Sequence, residues 1–467
     1  LSPLFVRLLI AAGGHGRIVP RLDDHVAIDW PVILFTASIA LLTALLFGLA
    51  PAWRSARTNV VGATKQTGFD TAQGGSDRLR SILVVSELAL SVMLLIGAGL
   101  LIKSLWQLQH VDPGFDAQNV LGLRVSVPES QYGTGRGRAL VYQRIVDRLK
   151  AVPGVTNVGA TNDLPFSGSR TTTSFDIIGR PTPSGQVRTA DRRGITADYF
   201  ATLRIRLLAG RPLTEQDNRR ETPRVGVINE ALRKRNWPDE SPLGKQIVVD
   251  GQTVEIVGIV GNVEHDDLAG ERPGELYLPQ FQSGAPPWTF LAVRKSPQTS
   301  LVALIPAVRK AMSEALPGEP VYDVRTMESR VATSVAPQQW SATILATFAL
   351  FALVLAAVGI YGVIAYAVEQ RSHELGVRLA LGAQQNDLLR LVVGEGLKLG
   401  ALGITAGVIG ALILGRILAG MLYNTAIADP LTYIAVSAIF AAVCLGSSYG
   451  PARRATRLDP LVILRCE

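Results

Sequence analysis

Residues 369 to 391 read EQRSHELGVRLALGAQQNDLLRL, a charged, helix-patterned stretch set between two long apolar runs. Apolar runs of that length belong in a bilayer, so the stretch between them belongs on its face. Glu374 and Arg378 stand four apart and share one side of a helix, while Leu375, Leu379 and either Leu381 or Val377 cover the other. Gly382 is expected to end the first helical piece and Asn386 to cap a second. Two short pieces joined at a glycine make a ridge suited to docking. The same periodicity also fits an ordinary surface-lying loop.

Outward from this ridge, five runs are long enough to cross about 30 Å of hydrocarbon, which takes roughly 20 helical residues. They are Pro31 to Ala50, Ser81 to Ile102, Ser341 to Val368, Leu391 to Gly415 and Pro430 to Gly450. A mean hydropathy of +0.27, too apolar for a purely water-soluble chain, agrees with them. The first run lies too far in, and lacks a cleavage pattern, to be a signal peptide. A net charge of +8 could point to nucleic acid, but two basic clusters flank spans. Arg54, Arg57, Lys65, Arg78 and Arg80 precede one; Arg453, Arg454, Arg457 and Arg465 follow another. Such bias marks the cytoplasmic side and argues against a nucleic-acid partner. The loop Ile417 to Asp429 has no basic residue after Ile417 and is placed outside, as is Leu1 to Asp29, although that segment carries Arg7, Arg17 and Arg21.

Shifting the chain by 400 positions brings Asp29, Ile39, Leu45, Pro51, Ala52, Arg54 and Arg57 onto Asp429, Ile439, Leu445, Pro451, Ala452, Arg454 and Arg457. Each copy is an acidic residue, an apolar span and Pro-Ala-x-Arg-x-x-Arg. Residues 1–65 are therefore expected to be the last span and basic exit of a preceding half of the same build. Polar, glycine-rich residues 66–80 then serve as a cytoplasmic linker. The span at 81–102 contains Glu87, an intramembrane polar residue and so a functional candidate by default; pairing with a neighbouring helix or water near the boundary is its simpler reading.

From Lys103 to Gln339 no run can span, and the segment is expected to form a water-soluble domain inserted between two spans. Val120 to Val127 alternates as a strand, Arg138 to Val152 reads as an amphipathic helix, and Val155 to Ala160 as another strand. Leu301 to Leu316 and Val321 to Val324 repeat helix and strand at the far end, which predicts an α+β layer built from both ends of the domain. Asp250-Gly251 between Gln246 to Asp250 and Gln252 to Val260 signals a type I′ hairpin. The two cysteines, Cys444 and Cys466, are not placed for a disulfide, so packing must hold this domain.

No catalytic constellation is found. A phosphate loop needs G-x-x-x-x-G-K-[ST], and the sequence has none, so no nucleotide site and no cofactor are expected in this chain. Glu264-His265-Asp266-Asp267 is the one crowd of metal-ligand types, but adjacent ligands point apart and the run reads as a turn after a strand; no metal is expected.

Glu374-Leu375-Gly376-Val377-Arg378 followed by Ala380-Leu381-Gly382-Ala383 resembles the E-[IL]-G-[IV]-R-x-A-[LV]-G-A signature of the FtsX-like permeases of ABC transporters, the MacB-like group among them. Tyr199-Phe200, Gly210-Arg211, Asp217, Val227-Ile228-Asn229-Glu230, Pro242-Leu243-Gly244-Lys245 and Val257-Gly258-Ile259-Val260 look like the ordered landmarks of the MacB-like periplasmic core domain. The resemblance implies an α-helical transmembrane bundle of about five spans with an inserted α+β extracytoplasmic domain at 103–339, whose smaller lobe lies near 201–282. It implies an FtsX-like domain at 340–467 with a coupling helix at 369–390. Glu374, Leu375, Gly376, Val377, Arg378 and Gly382 would meet an ABC ATPase subunit on the cytoplasmic face.

Other implied partners are a second permease half or a second copy, a periplasmic adaptor and membrane lipid, all at a bacterial inner membrane. ATPase closure would move the external domain rather than pass cargo through the spans. The pattern is also similar to duplicated acidobacterial permeases that often lack an adjacent ATPase. Two rival readings follow: an FtsX-type regulator acting on a cell-wall or periplasmic partner, and a membrane-anchored enzyme.

Overall fold

The computed structural model describes residues 74–456 except 134, 181–184, 220, 266–271, 283, 284, 382, 383 and 424, together with 30, 31, 33–38, 40 and 41. Along the chain run α1 (Gly74–Gln109), β1 (Val120–Ser126), α2 (Gly135–Lys150), β2 (Val155–Thr161), β3 (Thr172–Ile177) and β4 (Thr189–Ile195). Next come α3 (Tyr199–Leu203), β5 (Leu207–Gly210), β6 (Val225–Asn229), α4 (Glu230–Asn236), β7 (Gln246–Val249), β8 (Gln252–Val260), β9 (Glu275–Pro279) and β10 (Trp288–Lys295). The chain continues with α5 (Leu301–Ala315), β11 (Val321–Thr326), α6 (Met327–Ser334), α7 (Ala336–Gln370), α8 (Ser372–Ala380), α9 (Gln385–Leu418) and α10 (Pro430–Ala455). It divides into two compact units, residues 1–101 with 342–467, and residues 102–341.

In the second unit, β11-β1-β10-β2 form an antiparallel sheet. β1 sends alternate side chains to opposite faces, and both faces are covered. On one side α2 contributes Val141, Tyr142, Ile145, Val146 and Leu149, and α5 contributes Leu304, Val308, Met312 and Ala315. These sets recur at three- and four-residue intervals, which is why the two segments are helices lying on a sheet. Ser300 caps α5 by accepting from the Val302 N–H at 3.2 Å. Phe115, Val120, Tyr199, Phe200, Phe290 and Met327 belong to the second core cluster.

The remaining strands close on themselves, in the order β4-β3-β7-β8-β6-β9 and back to β4, with β5 added on β8. Ile228, Ile247, Ile256, Leu276 and the fully buried Trp237 form one cluster of this ring. The ring starts at Thr172, ahead of the 201–282 boundary that resemblance suggested, because β3 and β4 complete the circuit. The expected hairpin is present: Asp250 and Gly251 have φ of 49° and 72°, as a type I′ turn requires.

Among the described residues, four helices are long and apolar enough to cross a membrane: Arg80–Gln109, Ala336–Gln370, Gln385–Ile417 and Pro430–Arg454. The first two overrun the expected limits of Ile102 and Ser341. Of the fifth expected span, Pro31 to Ala50, residues 31, 33–38, 40 and 41 are helical, and the rest falls outside the described residues, as does most of the first copy of the repeat.

Leu88, Val92 and Ile96 of α1, Ile360 of α7 and Phe440 of α10 are fully buried against one another. The glycine face of α9 serves two neighbours. A methyl group at Gly400 would stand 2.8 Å from Cys444 Sγ of α10, whereas one at Gly403 or Gly407 would stand 2.5 or 2.6 Å from the Cβ atoms of Leu88 and Val92 of α1. Glycine there lets three backbones approach closely.

A candidate docking ridge and a buried ion network

The ridge begins where α7 ends. Leu375 N–H donates to Arg371 O at 3.0 Å, so α8 starts with hardly a break after α7, and Arg371 Nη1 lies 2.5 Å from Glu395 Oε1 of α9. Beneath α8, Leu375 and Leu388 are both 2 % exposed and pack with Val368. Burying such a side chain contributes about 1.5–3 kcal/mol, which holds α8 to its base. Above, Glu374 Oε1 accepts from Arg378 Nη2 at 2.6 Å across one turn, and both side chains are half exposed. The acid in the first turn and the base in the last also suit the helix dipole.

Gly376 is buried and Val377 half-buried; Gly382 lies outside the described residues. Two expectations are corrected here. Leu381, one option for the covered side, is 83 % exposed, because six residues beyond Leu375 a helix has turned by about 240° and points outward. Asn386 does not cap the second piece: Gln384 is the N-cap residue, Asn386 sits inside the first turn, and that piece is no short helix but the start of the 34-residue α9. The structure thus brings together Glu374, Leu375, Val377 and Arg378 on one helix with an apolar underside, and adds Leu381 to the outward face.

Glu87 is apart from this ridge. Its carboxylate lies against Gly359 of α7, where an added methyl would come within 2.9 Å of Oε2. One turn on, Ser91 Oγ donates to Glu87 O at 2.8 Å and lies 3.1 Å from Ala352 O, a polar link between α1 and α7.

A second constellation, in the unit of residues 102–341, was not anticipated. Arg193 on β4 is completely buried, with Nε 2.8 Å from Glu275 Oε1 on β9 and Nη1 3.2 Å from Asp163 Oδ2 just beyond β2. Tyr277 OH donates to Glu275 Oε2 at 2.6 Å, and His265 Nε2 lies 2.8 Å from Glu275 Oε1. Asn229 Oδ1 accepts from the N–H groups of Leu232 and Glu275, both at 2.9 Å, capping α4 and fixing β9 at once. Among the described residues, β4 continues the four-stranded sheet into the ring through one register pair, Thr161 with Ile195. One guanidinium therefore ties three strand ends at a narrow seam between two lobes.

Burial works against the charge of Glu275, yet the Arg193 guanidinium and hydrogen bonds from the neutral His265 ring and the Tyr277 hydroxyl hold its pKa down to about 2. Burial pushes His265 below its ordinary value. His265, just after β8, thus belongs to the core; Glu264 is buried too and pairs with Arg272 at 2.8 Å. Asp266 and Asp267 lie outside the described residues. No group of three metal-ligand types able to hold an ion occurs among the described residues.

The pH dependence has a definite sign. A folded state that keeps His265 neutral binds fewer protons than the unfolded chain below about pH 6.5. Stability should be full above that value and decline as pH falls through it, with a second loss as acid of about pH 4.5 and below titrates the unfolded glutamate. Urea unfolding followed by near-ultraviolet circular dichroism between pH 7 and pH 5 checks this. His265→Gln should flatten the first decline; an unchanged slope would count against the burial argument.

Comparison with known proteins follows the same division. A family model described as FtsX-like permease C-terminal matches residues 346–460, and one described as MacB-like periplasmic core domain matches residues 81–315. The pyoverdine export ATP-binding/permease protein PvdT of Pseudomonas aeruginosa is 26% identical over 286 residues, covering 58% of this chain and 41% of that protein. The macrolide export ATP-binding/permease protein MacB of Azoarcus sp. is 24% identical over 395 residues, covering 82% of this chain and 56% of that protein. The chain thus spans about half the length of the curated relatives it matches. The periplasmic region of MacB from Actinobacillus actinomycetemcomitans superimposes with a TM-score of 0.35 at 16% identity, covering 49% of this chain and 97% of that one.

Proposed function

This chain belongs to the MacB-like ABC transporter permeases, with an FtsX-like permease domain and a MacB-like periplasmic core domain, and from that premise we propose that it is a mechanotransmitting permease subunit. ATP hydrolysis takes place on a partner ABC ATPase subunit at the cytoplasmic face of the inner membrane, and this chain itself is not an enzyme. ATPase closure pushes on α8 and is passed through the spans to the extracytoplasmic domain, whose movement drives export. A second permease half or a second copy completes the transporter.

The observation that carries this reading is the two-sided build of α8. Its underside is packed on Leu388 and Val368, so force on it reaches α9 and α7; its outward side offers a charged pair and an exposed leucine. A surface loop without function would have no reason to be braced in this way.

The test is a pull-down from native membranes. Glu374→Arg removes the pair with Arg378 and sets two like charges on the docking face, so ATPase recovery should fall by about tenfold. Equal recovery of the same ATPase by both proteins would end the coupling role. Recovery of a cell-wall hydrolase, with no exported substrate, would instead favour the regulator.

A further inference from the structure

At the end of the membrane unit where α1 begins and α7 ends lies an open cavity of about 330 Å³ lined by Arg80, Arg371 and Lys398 with one carboxylate, Glu395. Glu395 is engaged by Arg371 at 2.5 Å. The Arg80 guanidinium is stacked 4.0 Å from the centre of the Tyr366 ring, which positions it without neutralising it. Lys398 is exposed and has no carboxylate within ion-pair distance among the described residues. The cavity therefore keeps a surplus of two positive charges, in a place where apolar Val363, Ile364 and Leu399 form part of the wall.

We propose that this cavity binds the phosphate of an anionic phospholipid from the surrounding leaflet. Three features favour a lipid over a soluble phosphate. The cavity stands at the end of helices long and apolar enough to span, at the depth where headgroups lie. The face of α9 that carries Lys398 continues along the helix as Leu402 and Ile409, 59 % and 54 % exposed, a track that an acyl chain can follow. Basic pockets between spans at the cytoplasmic surface suit anionic headgroups, each cation contributing about 1 kcal/mol, a fivefold change in affinity. The inference does not depend on an ATPase partner, so it can fail or hold independently of the coupling role.

The experiment uses the full chain in nanodiscs of phosphatidylcholine with a minority of phosphatidylglycerol, and native mass spectrometry to count retained lipids. Wild type should retain phosphatidylglycerol in preference. Arg80→Gln with Lys398→Gln should weaken that preference by about thirtyfold, and Glu395→Gln should strengthen it. Lys398→Arg should keep it. No preference in the wild type overturns the proposal. Loss of the bound lipid to inorganic phosphate or glycerol phosphate at millimolar concentration also overturns it, since the site would then belong to a soluble anion. If the double variant does not fold, Glu395→Gln still decides: an unchanged preference there overturns the proposal.

Discussion

Arg193→Met is expected to destabilise the extracytoplasmic domain by about 3–5 kcal/mol, the usual cost of removing one partner from a buried ion cluster. Methionine fills much of the same space, so the loss is electrostatic rather than a cavity. Glu275 and Asp163, each completely buried, would be left without the guanidinium that stands 2.8 and 3.2 Å from them. Two carboxylates without that charge in an apolar seam must either take up protons or draw in water. Since small domains are stable by only 5–15 kcal/mol, this fraction is large enough to see as a lower denaturation midpoint. Adding Glu275→Gln to Arg193→Met should return part of the loss, because one uncompensated charge is gone. A midpoint that stays at the wild-type value in Arg193→Met would show that the seam is held by packing alone.

Leu375→Glu should uncouple the ridge. Leu375 is 2 % exposed under α8, and a carboxylate there loses the apolar burial and adds a charge with no partner beside Leu388 and Val368. The helix should lift from its base while the spans, which do not depend on this contact, still assemble. Under the proposed function, ATP turnover by the partner would no longer respond to the permease, falling to its basal rate. Leu375→Met conserves volume and should behave as wild type. The contrast with Glu374→Arg is informative: that variant should fail to recruit the ATPase, whereas Leu375→Glu should recruit it and fail to transmit. Undiminished stimulation in Leu375→Glu would remove the mechanical role from this contact.

Much of this architecture can be read in the order of residues. The strand from Val120, the helices near Arg138 and Leu301 and the Asp250-Gly251 turn come out close to their observed limits, because each depends on neighbours within a few positions. The Glu374–Arg378 pair was equally readable, being a four-residue relation on one helix. Leu381 was misjudged by helix phase, and Asn386 by expecting a second short piece where a long span begins.

The ion network could have been suspected from one signal. Asp191, Arg193 and Ile195 alternate, so a strand that buries Ile195 must bury the two charged residues with it. Their partners were beyond reach of that logic. Asp163, His265 and Glu275 lie tens of residues away on either side, and nothing local says that β4 runs parallel to β9 or that β3 closes a ring.

By itself, then, the sequence determined four helices long and apolar enough to span, the domain between them and the charged ridge, because apolar transfer and helix or strand period act along the chain and leave their pattern in it. Tertiary structure alone decided which buried charges face each other, which helix each α9 glycine meets, and that Arg80 and Lys398 share one cavity. Those outcomes depend on contacts between segments far apart in sequence, where a distance of a few ångströms sets the energy and no local pattern records it.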